Sequence, residues 1–313
     1  MELVMNNDKK YKKVSIILLN YNTADDLIEC INSLYNIKYP NYDIIVVDNC
    51  SNENEISKLD SYLKNKEKCI FIKNNKNTGF AGGNNLGIKY ALNNKTDYLL
   101  LLNSDTLVND DFLNILVDTV EKDKDNIAMA TGKILYYPDT KKIWYGGGYI
   151  NWRKYTGQHC GEGEYDNGEY NEIKNVTFSS GCLMLINVSL NFEKYLSEEY
   201  FMYYEDVDYC AKILENGYKI MYNPNAVIYH KIGSSSGGEQ SAFTIRWSNR
   251  GRYIFMNKYK NKNSKSMFIF IKLKFIITRG IKFLIMCFKG EFSKAIELYY
   301  GIKDAILKDS MKI

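Results

Sequence analysis

Hydrophobic and polar positions follow two different periods along residues 14–122. Short apolar runs predict buried strands, and apolar residues that recur every three or four positions predict helices. The predicted strands are VSIILLN (14–20), IIVVD (44–48), CIFIK (69–73) and YLLLL (98–102). The predicted helices lie within 24–36, 82–94 and 112–120. Strands that alternate with helical crossovers predict an α/β protein with a parallel sheet covered on both faces.

The pattern changes in the second half of the chain. Residues 131–180 are rich in Gly and Tyr and predict irregular strands and loops. GCLMLI (181–186) and AVIY (226–229) predict two more buried strands. Residues 205–216 predict a short helix that ends at Gly217. The Gly/Ser-rich segment GSSSGGEQS (233–241) predicts a mobile loop after His230.

Residues 266–288 form a long apolar segment that also carries cations. Its length would span a bilayer, but its Lys and Arg side chains would be costly at the bilayer centre. At helical spacing, five cations fall within an arc of roughly 120°: Lys265, Lys272, Arg279, Lys282 and Lys289. Only Lys274 lies off this arc. We therefore expect an amphipathic helix in the membrane interface, with its cations towards anionic headgroups. A helix packed on the protein's own core or on a dimer partner is the alternative.

Composition and charge narrow the class of protein. The 313 residues suffice for one large domain, with or without an appendage. An aromatic content of 14% excludes a disordered chain. The net charge of +4 divides into +9 for residues 257–313 and −5 for the rest. The basic tail favours an anionic surface as partner, and the acidic body is not expected to bind nucleic acid.

Cysteine usage and the N-terminal residues bear on the cellular compartment. The seven cysteines show no CxxC pair and no regular spacing, which is typical of reduced, mostly buried thiols in a cytosolic protein. Residues 1–13, MELVMNNDKKYKK, are polar and contain no apolar core segment. We therefore expect no signal peptide.

Polar clusters follow four predicted strands, at the edge where parallel sheets bind ligands. They are Asn20-Tyr21-Asn22-Thr23, Asp48-Asn49, residues 74–85 and Asn103-Ser104-Asp105. Ordinary turn chemistry accounts for any one cluster, but four on one edge favour a binding site. A carboxylate such as Asp105, just past a buried strand, suits Mg²⁺ or Mn²⁺, because substrate phosphates complete the shell of such ions.

Two further features carry potential chemistry. Glu205, Asp206 and Asp208 stand at the start of a predicted helix, after the aromatic run FMYY. Compensation of the helix dipole explains one or two of these acids. A carboxylate against aromatic rings has a raised proton affinity and can act as a general base. His230 ends a predicted strand; a plain hydrogen-bonded role and a metal-ligand role are both open for it.

Taken in order, these motifs resemble the inverting glycosyltransferases of family 2, and most closely the rhamnosyltransferase-type branch of bacterial surface-polysaccharide synthesis. The motifs are VSIILLNYN, IIVVDN, NTGFAGGNNLGI, LLLLNSDT, GCLMLI, FMYYEDVDYC and IYHKIGSSS, within residues 12–260. The resemblance implies a GT-A fold, in which a half-Rossmann nucleotide-binding mixed sheet is flanked by helices. Residues 1–260 would form this domain, with a nucleotide-sugar-binding half at 12–130 and an acceptor-binding half at 131–260. Residues 261–313 would form a basic amphipathic helical tail.

The resemblance also assigns roles to individual residues. Binding of the nucleotide sugar falls to Asn20, Tyr21, Asn22, Asp48, Phe80, Ala81, Gly82, Asn84, Asn103, Ser104 and Asp105. Asn103-Ser104-Asp105 stands in the place of the Asp-x-Asp motif, with Asn for the first Asp. Asp206 matches the general base. The resemblance assigns contact with the acceptor to Trp144, Gly181, Cys182 and Glu205. It assigns binding of Mg²⁺ or Mn²⁺ to Asp105 and His230.

The expected function is inverting transfer of a sugar, with rhamnose from dTDP-rhamnose as the favoured donor. The expected acceptor is a saccharide or lipid-linked glycan, at the inner face of the cell membrane, and a homodimer is an open assembly. A UDP-linked hexose or galactofuranose is an alternative donor. A sugar nucleotidyltransferase is less favoured, because VSIILLNYNTADD lacks a Gly-rich basic loop. A non-catalytic sugar-nucleotide-binding protein would have little use for a base such as Asp206.

Overall fold

The computed structural model of the chain describes residues 11–231 and 241–310. The predicted mobile loop at 233–241 lies outside the described residues except for Ser241, and so do residues 1–10. The strands are β1 (Val14–Asn20), β2 (Tyr42–Asp48), β3 (Cys69–Lys73), β4 (Tyr98–Asn103), β5 (Thr106–Val108), β6 (Ile127–Tyr136), β7 (Ile143–Tyr145), β8 (Gly148–Asn151), β9 (Thr156–His159), β10 (Lys174–Val176), β11 (Leu183–Asn187) and β12 (Lys219–His230). The α-helices are α1 (Ala24–Leu34), α2 (Glu53–Leu63), α3 (Gly79–Asn93), α4 (Phe112–Glu121), α5 (Glu205–Glu215), α6 (Ala242–Lys258), α7 (Lys265–Phe288) and α8 (Phe292–Ser310).

The central sheet is mixed, and its order is β10-β12-β6-β11-β4-β1-β2-β3, with β5 beside β12 and β7 beside β6. β1 runs parallel to both β2 and β4, and β2 runs parallel to β3. The parallel prediction is therefore confirmed for the first four strands. Strand β11, for which the sequence predicted no direction, lies antiparallel between β4 and β6 and makes the sheet mixed, as the resemblance implied. Apolar periodicity shows that a strand is buried, but it does not show the strand's direction.

The strand register aligns the polar ends of three strands at one edge of the sheet. Strands β1, β2 and β4 are buried almost throughout, as expected of parallel strands covered on both faces. Asn20 at the end of β1 pairs with Asp48 at the end of β2, and Leu19 pairs with Asn103 at the end of β4. The polar clusters predicted from the sequence therefore meet at one edge.

The sequence patterns missed several elements, including α2, β5, β6 and α6, and predicted one irregular region correctly. Helix α2 buries only Leu59 and Leu63, so its periodicity is weak. Strand β6 contains Thr, Gly and Lys at buried positions, so it does not read as an apolar run. Residues 143–176 form four short strands, as expected for an irregular segment. Helix α5 ends before Gly217, whose φ of 81° gives the predicted left-handed stop.

Three helices follow the sheet, and α8 packs on α6. Arg246 of α6 donates to Glu297 at 3.0 Å and to Asp304 at 2.8 Å, both on α8. A Cβ at Gly301 of α8 would lie 2.4 Å from the carbonyl oxygen of Arg246, so only Gly allows the two helices to approach this closely. Among the helices of the described residues, none is long and apolar enough to cross a membrane.

The predicted orientation of the cations on α7 is wrong for two of them. Lys272 Nζ donates to Asn257 Oδ1 at 2.9 Å, and Arg279 Nε donates to Asn249 Oδ1 at 2.5 Å. Both acceptors belong to α6, so these two cations face the protein. Helical spacing places residues on one arc, but it does not show which way that arc faces.

Candidate active site

A buried hydrogen-bonded pair supports the edge of the sheet beneath the first loop. Asn20 Nδ2 donates to Asp48 Oδ1 at 2.8 Å, and the Ser51 backbone N–H donates to Asp48 Oδ2 at 3.0 Å. Asn20 and Asp48 are fully buried, whereas Tyr21 is 44% exposed. Asn22, at φ 57°, donates its N–H to Ser51 Oγ at 2.9 Å. These four residues are all predicted to bind the nucleotide sugar; two of them form a buried support, and the other two lie at the surface.

Asn49 organises the second loop, a role that the sequence did not reveal beyond its turn signal. Its Oδ1 accepts from Asn74 Nδ2 at 3.0 Å and from the Thr78 N–H at 3.1 Å. Its Nδ2 donates to Asn77 Oδ1 at 3.0 Å and to the Gly79 carbonyl at 3.1 Å. One amide side chain therefore fixes the turn that leads into α3.

The start of α3 is joined to the segment that precedes α5. Gly79 has φ 73°, and a Cβ there would lie 1.9 Å from the Phe201 carbonyl oxygen. That oxygen accepts from the Phe80 N–H at 2.7 Å. A side chain at Gly79 would block this bond, so the position requires Gly. The remaining predicted residues of the loop lie buried in the first turns of α3: Ala81, Gly82 and Asn84.

Two adjacent carboxylates begin α5 after a strained turn. Tyr203 and Tyr204 have φ of 65° and 77°, a left-handed conformation that costs roughly 1–2 kcal/mol per residue. Such strain is often found at functional sites. Asp206 accepts from the Gly181 N–H at 3.3 Å and from the Val207 N–H at 2.8 Å. Two backbone donors therefore orient the Asp206 carboxylate.

Glu205 is the more buried of the two acids. Its Oε2 is buried and has no hydrogen-bond partner among the described residues. Burial, with the charge of Asp206, raises the pKa of Glu205 well above its usual value. Burial also raises the pKa of Asp206, and this effect is opposed by the N–H groups of Gly181 and Val207. When the pair holds one proton, that proton resides on Glu205, whose pKa is raised more strongly, and Asp206 is the ionised member.

Asp105 and His230 meet at the other side of the same edge. His230 Nε2 lies 3.1 Å from Asp105 Oδ1, and both side chains are buried. The Nδ1 of His230 has no hydrogen-bond partner within the described part of the chain. The indole of Trp144 packs edge-on against the imidazole, with 4.5 Å between ring centroids.

This pair fits a divalent cation. Carboxylate oxygen and imidazole nitrogen are suitable ligands for Mn²⁺, and Mg²⁺ is commonly held by one or two carboxylates with substrate phosphates. Residues 11–231 and 241–310 contain no cluster of three or more His, Cys, Asp or Glu side chains that could hold a metal. Asp105 and His230 would therefore need further ligands from a bound substrate.

Two neighbouring thiols do not add ligands to this pair. Cys30 and Cys182 are buried close enough to Asp105 to feel its charge. Burial raises the pKa of Cys30 to about 12 and that of Cys182 well above its usual value. The described residues contain no group of three or more His, Cys, Asp or Glu side chains placed to hold a metal, so these thiols do not complete a site with Asp105 and His230. All seven cysteines are free, and three of them are buried.

The short loop before β11 connects the acid pair to the Asp105–His230 pair. The Gly181 N–H donates to Asp206, and the Cys182 carbonyl accepts from the Asn103 N–H at 3.1 Å. Gly181 also lies against the ring of Phe80. Cys182 is buried beneath the edge, and Ser104 is partly exposed between Asn103 and Asp105. The structure therefore brings the candidate base, the candidate metal ligands and the loop of α3 to one edge.

This arrangement is that of the glycosyltransferases with a GT-A fold, and comparison with known sequences narrows the class. Residues 15–191 match the family model for Glycosyl transferase family 2. The chain belongs to that family.

Two glycosyltransferases are among the relatives that match most of the chain. The low-salt glycan biosynthesis hexosyltransferase Agl10 of Haloferax volcanii is 25% identical over 256 residues, which cover 80% of this chain and 77% of that protein. Glycosyltransferase GlyG of Streptococcus pneumoniae is 23% identical over 250 residues, which cover 78% of this chain and 79% of GlyG.

Solved structures confirm the fold. GalNAc-T7, solved with UDP, GalNAc and Mn²⁺, aligns with a TM-score of 0.62 at 19% identity, and the match covers 81% of this chain and 50% of that one. The mannosyltransferase PcManGT from Pyrobaculum calidifontis, solved with GDP-Man and Mn²⁺, aligns with a TM-score of 0.55 at 14% identity. That match covers 95% of this chain and 81% of PcManGT.

Proposed function

We propose that this enzyme transfers a sugar from a nucleoside-diphosphate sugar to a hydroxyl of a saccharide or lipid-linked glycan, in cell-surface polysaccharide synthesis. The observation that carries the proposal is the loop of Gly181 and Cys182, which joins Asp206 to the segment that holds Asp105. A single displacement requires a base for the acceptor hydroxyl and a group that binds the departing diphosphate. In this proposal Asp206 lies on one side of the loop and the Asp105–His230 pair on the other. A single displacement inverts the configuration of the anomeric carbon.

Asp206 takes the proton from the acceptor hydroxyl as that oxygen attacks the anomeric carbon. The N–H groups of Gly181 and Val207 orient its carboxylate. General base catalysis typically contributes about 10²–10⁴ in rate. Glu205 keeps its proton beside the base and contacts the acceptor, together with Gly181 and Trp144.

Asp105 and His230 hold Mg²⁺ or Mn²⁺ in this proposal. The ion, when bound, neutralises the charge of the departing nucleoside diphosphate. The carboxylate–imidazole donor set supports this assignment. So does the presence of Mn²⁺ in the structures of GalNAc-T7 and PcManGT, which share the fold. Asn103 and Ser104 flank Asp105 at the same edge and contact the nucleotide sugar.

Rhamnose from dTDP-rhamnose is the donor that we favour, on the motif pattern of the sequence. A UDP-linked hexose is the second candidate, because Agl10 is named a hexosyltransferase. Tyr21 and Asn22, at the surface of the edge, would meet the base and ribose of either donor. A lipid-linked acceptor places the reaction at the inner, anionic face of the cell membrane.

The test is a donor panel incubated with Mn²⁺ or Mg²⁺ and alkyl glycoside acceptors. We expect acceptor-dependent release of nucleoside diphosphate from one donor, and no acceptor-dependent release by the Asp206→Asn variant. Formation of nucleotide sugar from a nucleoside triphosphate and a sugar 1-phosphate would instead show a nucleotidyltransferase. A third result is that the protein binds a nucleotide sugar, as measured by thermal shift, but releases no nucleoside diphosphate from any donor–acceptor pair. That result would show a non-catalytic binding protein.

A further inference from the structure

Helix α7 exposes large apolar side chains along one whole side. We call this side the outer face; it consists of Ile269, Phe270, Leu273, Ile277, Ile281, Leu284 and Phe288. Phe270 is 62% exposed and Phe288 is 90% exposed. Extended apolar patches are rare on proteins that contact only water, and they mark surfaces that bind a partner or a membrane.

The orientation of α7 is fixed by the opposite side of the helix. Ile271, Phe275 and Met286 are buried on that inner side. Lys272 and Arg279 donate from it to Asn257 and Asn249 of α6. Asn249 is itself buried, so a rotation of α7 that hid the outer face would break these bonds. The apolar outer face is therefore a built feature of the tertiary structure.

The charges around the outer face are positive. The 24 residues of α7 contain no Asp or Glu. Lys265 and Lys274 of the helix, and Lys289 directly after it, are exposed beside the outer face. Three acids at or near α8 are paired with cations: Glu291, just before α8, with Lys294, and Glu297 and Asp304 of α8 with Arg246. The surface around the outer face therefore favours an anionic partner.

A basic cavity opens beside the outer face, between α6, α7 and α8. Its volume is about 220 Å³, and Lys282, Lys289 and Lys294 line it together with Glu291. Its lining also includes Ile285, which is half exposed next to the outer face. Burial and the nearby cations Arg279 and Lys294 lower the pKa of Lys282, so an anion in this cavity would relieve the crowding of positive charges.

We propose that α7 lies flat in the interface of an anionic phospholipid membrane, with the outer face among the acyl chains and a lipid phosphate in the basic cavity. This inference rests on the peripheral location given under Proposed function, and it adds the surface and the headgroup site. The pattern is that of interfacial helices, which combine an apolar face with flanking Lys side chains. A second copy of the chain fits less well, because a two-fold contact would set the same positive borders against each other.

The test uses the full chain and vesicles of phosphatidylcholine with or without phosphatidylglycerol, with binding measured by flotation. We expect binding to the anionic vesicles that weakens with added salt. The double variant Lys282→Gln/Lys289→Gln should bind about 25-fold more weakly, since each lysine near an anionic surface contributes about fivefold. Lys64→Gln/Lys89→Gln is the matched control, because both lysines are exposed far from α7 in the sequence and their loss changes the net charge equally.

A second set of variants tests the outer face. The triple variant Ile277→Ser/Leu284→Ser/Phe288→Ser should lose binding to anionic vesicles, and its thermal midpoint should be unchanged because these side chains are exposed. The control is Tyr149→Ser/Tyr165→Ser/Ile173→Ser, at exposed apolar positions outside α7. It should bind vesicles like the wild type.

Three outcomes would overturn the inference. Binding of the wild type to anionic vesicles no stronger than to neutral vesicles would remove the anionic headgroup site on which the inference depends. If the lysine variant or the outer-face variant binds vesicles as strongly as its control, α7 is not the membrane-binding surface. The third outcome is a wild-type protein that does not bind vesicles and is a dimer by light scattering, while the outer-face variant is a monomer. It would show that a second copy of the chain covers the outer face. Nucleoside diphosphate release is measured without vesicles, so failure of the transferase proposal is recorded separately.

Discussion

His230 Nε2 lies 3.1 Å from Asp105 Oδ1, although the two residues belong to distant parts of the chain. Strand β5 begins directly after Asp105 and pairs antiparallel with β12, which sets Thr106 opposite His230. The Lys231 N–H then donates to the Asp105 carbonyl at 2.9 Å. The contact is therefore produced by strand pairing, which holds both side chains at the edge of the sheet.

Replacement of this pair should weaken metal binding without unfolding the protein. For Asp105→Asn and His230→Gln, we expect the affinity for Mn²⁺ in the presence of nucleoside diphosphate to fall at least about 10–100-fold, the range that loss of a supporting group at a metal site typically causes. Isothermal titration with and without Mn²⁺ measures the effect. Asp125→Asn, at an exposed position, is the control. An unchanged Mn²⁺ requirement in both variants would contradict the ligand assignment.

Asp206→Asn should abolish transfer and leave nucleotide binding intact. We expect kcat to fall about 10²–10⁴-fold, because the amide cannot accept the acceptor proton. The wild-type rate should fall on the acid side as Asp206 takes up a proton. Because burial raises the pKa of Asp206, that limb should lie above the ordinary aspartate value of about 3.9. A steady-state pH–rate profile checks both statements, and wild-type turnover by the variant would remove Asp206 from the base role.

Glu205→Gln should make the protein more stable at high pH. The folded state raises the pKa of Glu205, so it holds the proton more tightly than the unfolded chain does. The resulting stabilisation is present below the unfolded pKa and is lost as pH rises through the raised folded pKa. Wild-type Tm should therefore decline across that window, while the variant's should decline less.

The size of this effect follows from the linkage. Each unit of pKa shift is worth about 1.4 kcal/mol, and about 1 kcal/mol moves Tm by roughly 2–4 °C in a domain of 150–250 residues. We expect the variant to melt a few degrees above the wild type at pH 8. Glu67→Gln, at an exposed position, should show no such gain. Parallel pH curves for wild type and Glu205→Gln would refute the buried-acid argument.

Gly79→Ala should be more damaging than Gly217→Ala, although both glycines have positive φ. Gly217 has φ 81° with nothing within 4 Å of an added Cβ, so its substitution costs only the left-handed conformation, about 1–2 kcal/mol. At Gly79 the Cβ also meets the Phe201 carbonyl, which adds about 1–3 kcal/mol of overpacking. Urea unfolding should separate the two, and KM for the donor should rise only for Gly79→Ala. Equal stabilities would mean that the turn relaxes freely.

Much of the fold of residues 14–122 was predictable, because β1, β2 and β4 are buried on both faces and α1 and α4 bury one face each. Those two patterns differ clearly in period, so β1 to β4 and α1, α3 and α4 could be recognised. Strand β6 could not, since buried Lys133 interrupts its apolar run. Only the fold supplies its partners, Asp166 at 2.6 Å and Asn171. The role of Asn49 was hidden for a similar reason: all of its described partners come from other segments.

The sequence by itself determined the α/β class, the polar ends of the strands and the acids at the start of α5, because periodicity and turn chemistry are local properties. Tertiary structure alone decided the direction of β11, the contact of Asp105 with His230 and the outward turn of α7. Each of these depends on groups that are distant along the chain and adjacent in space. The inward bonds of Lys272 and Arg279 show the consequence: helical spacing defined their shared side, and the partners on α6 decided where that side faces.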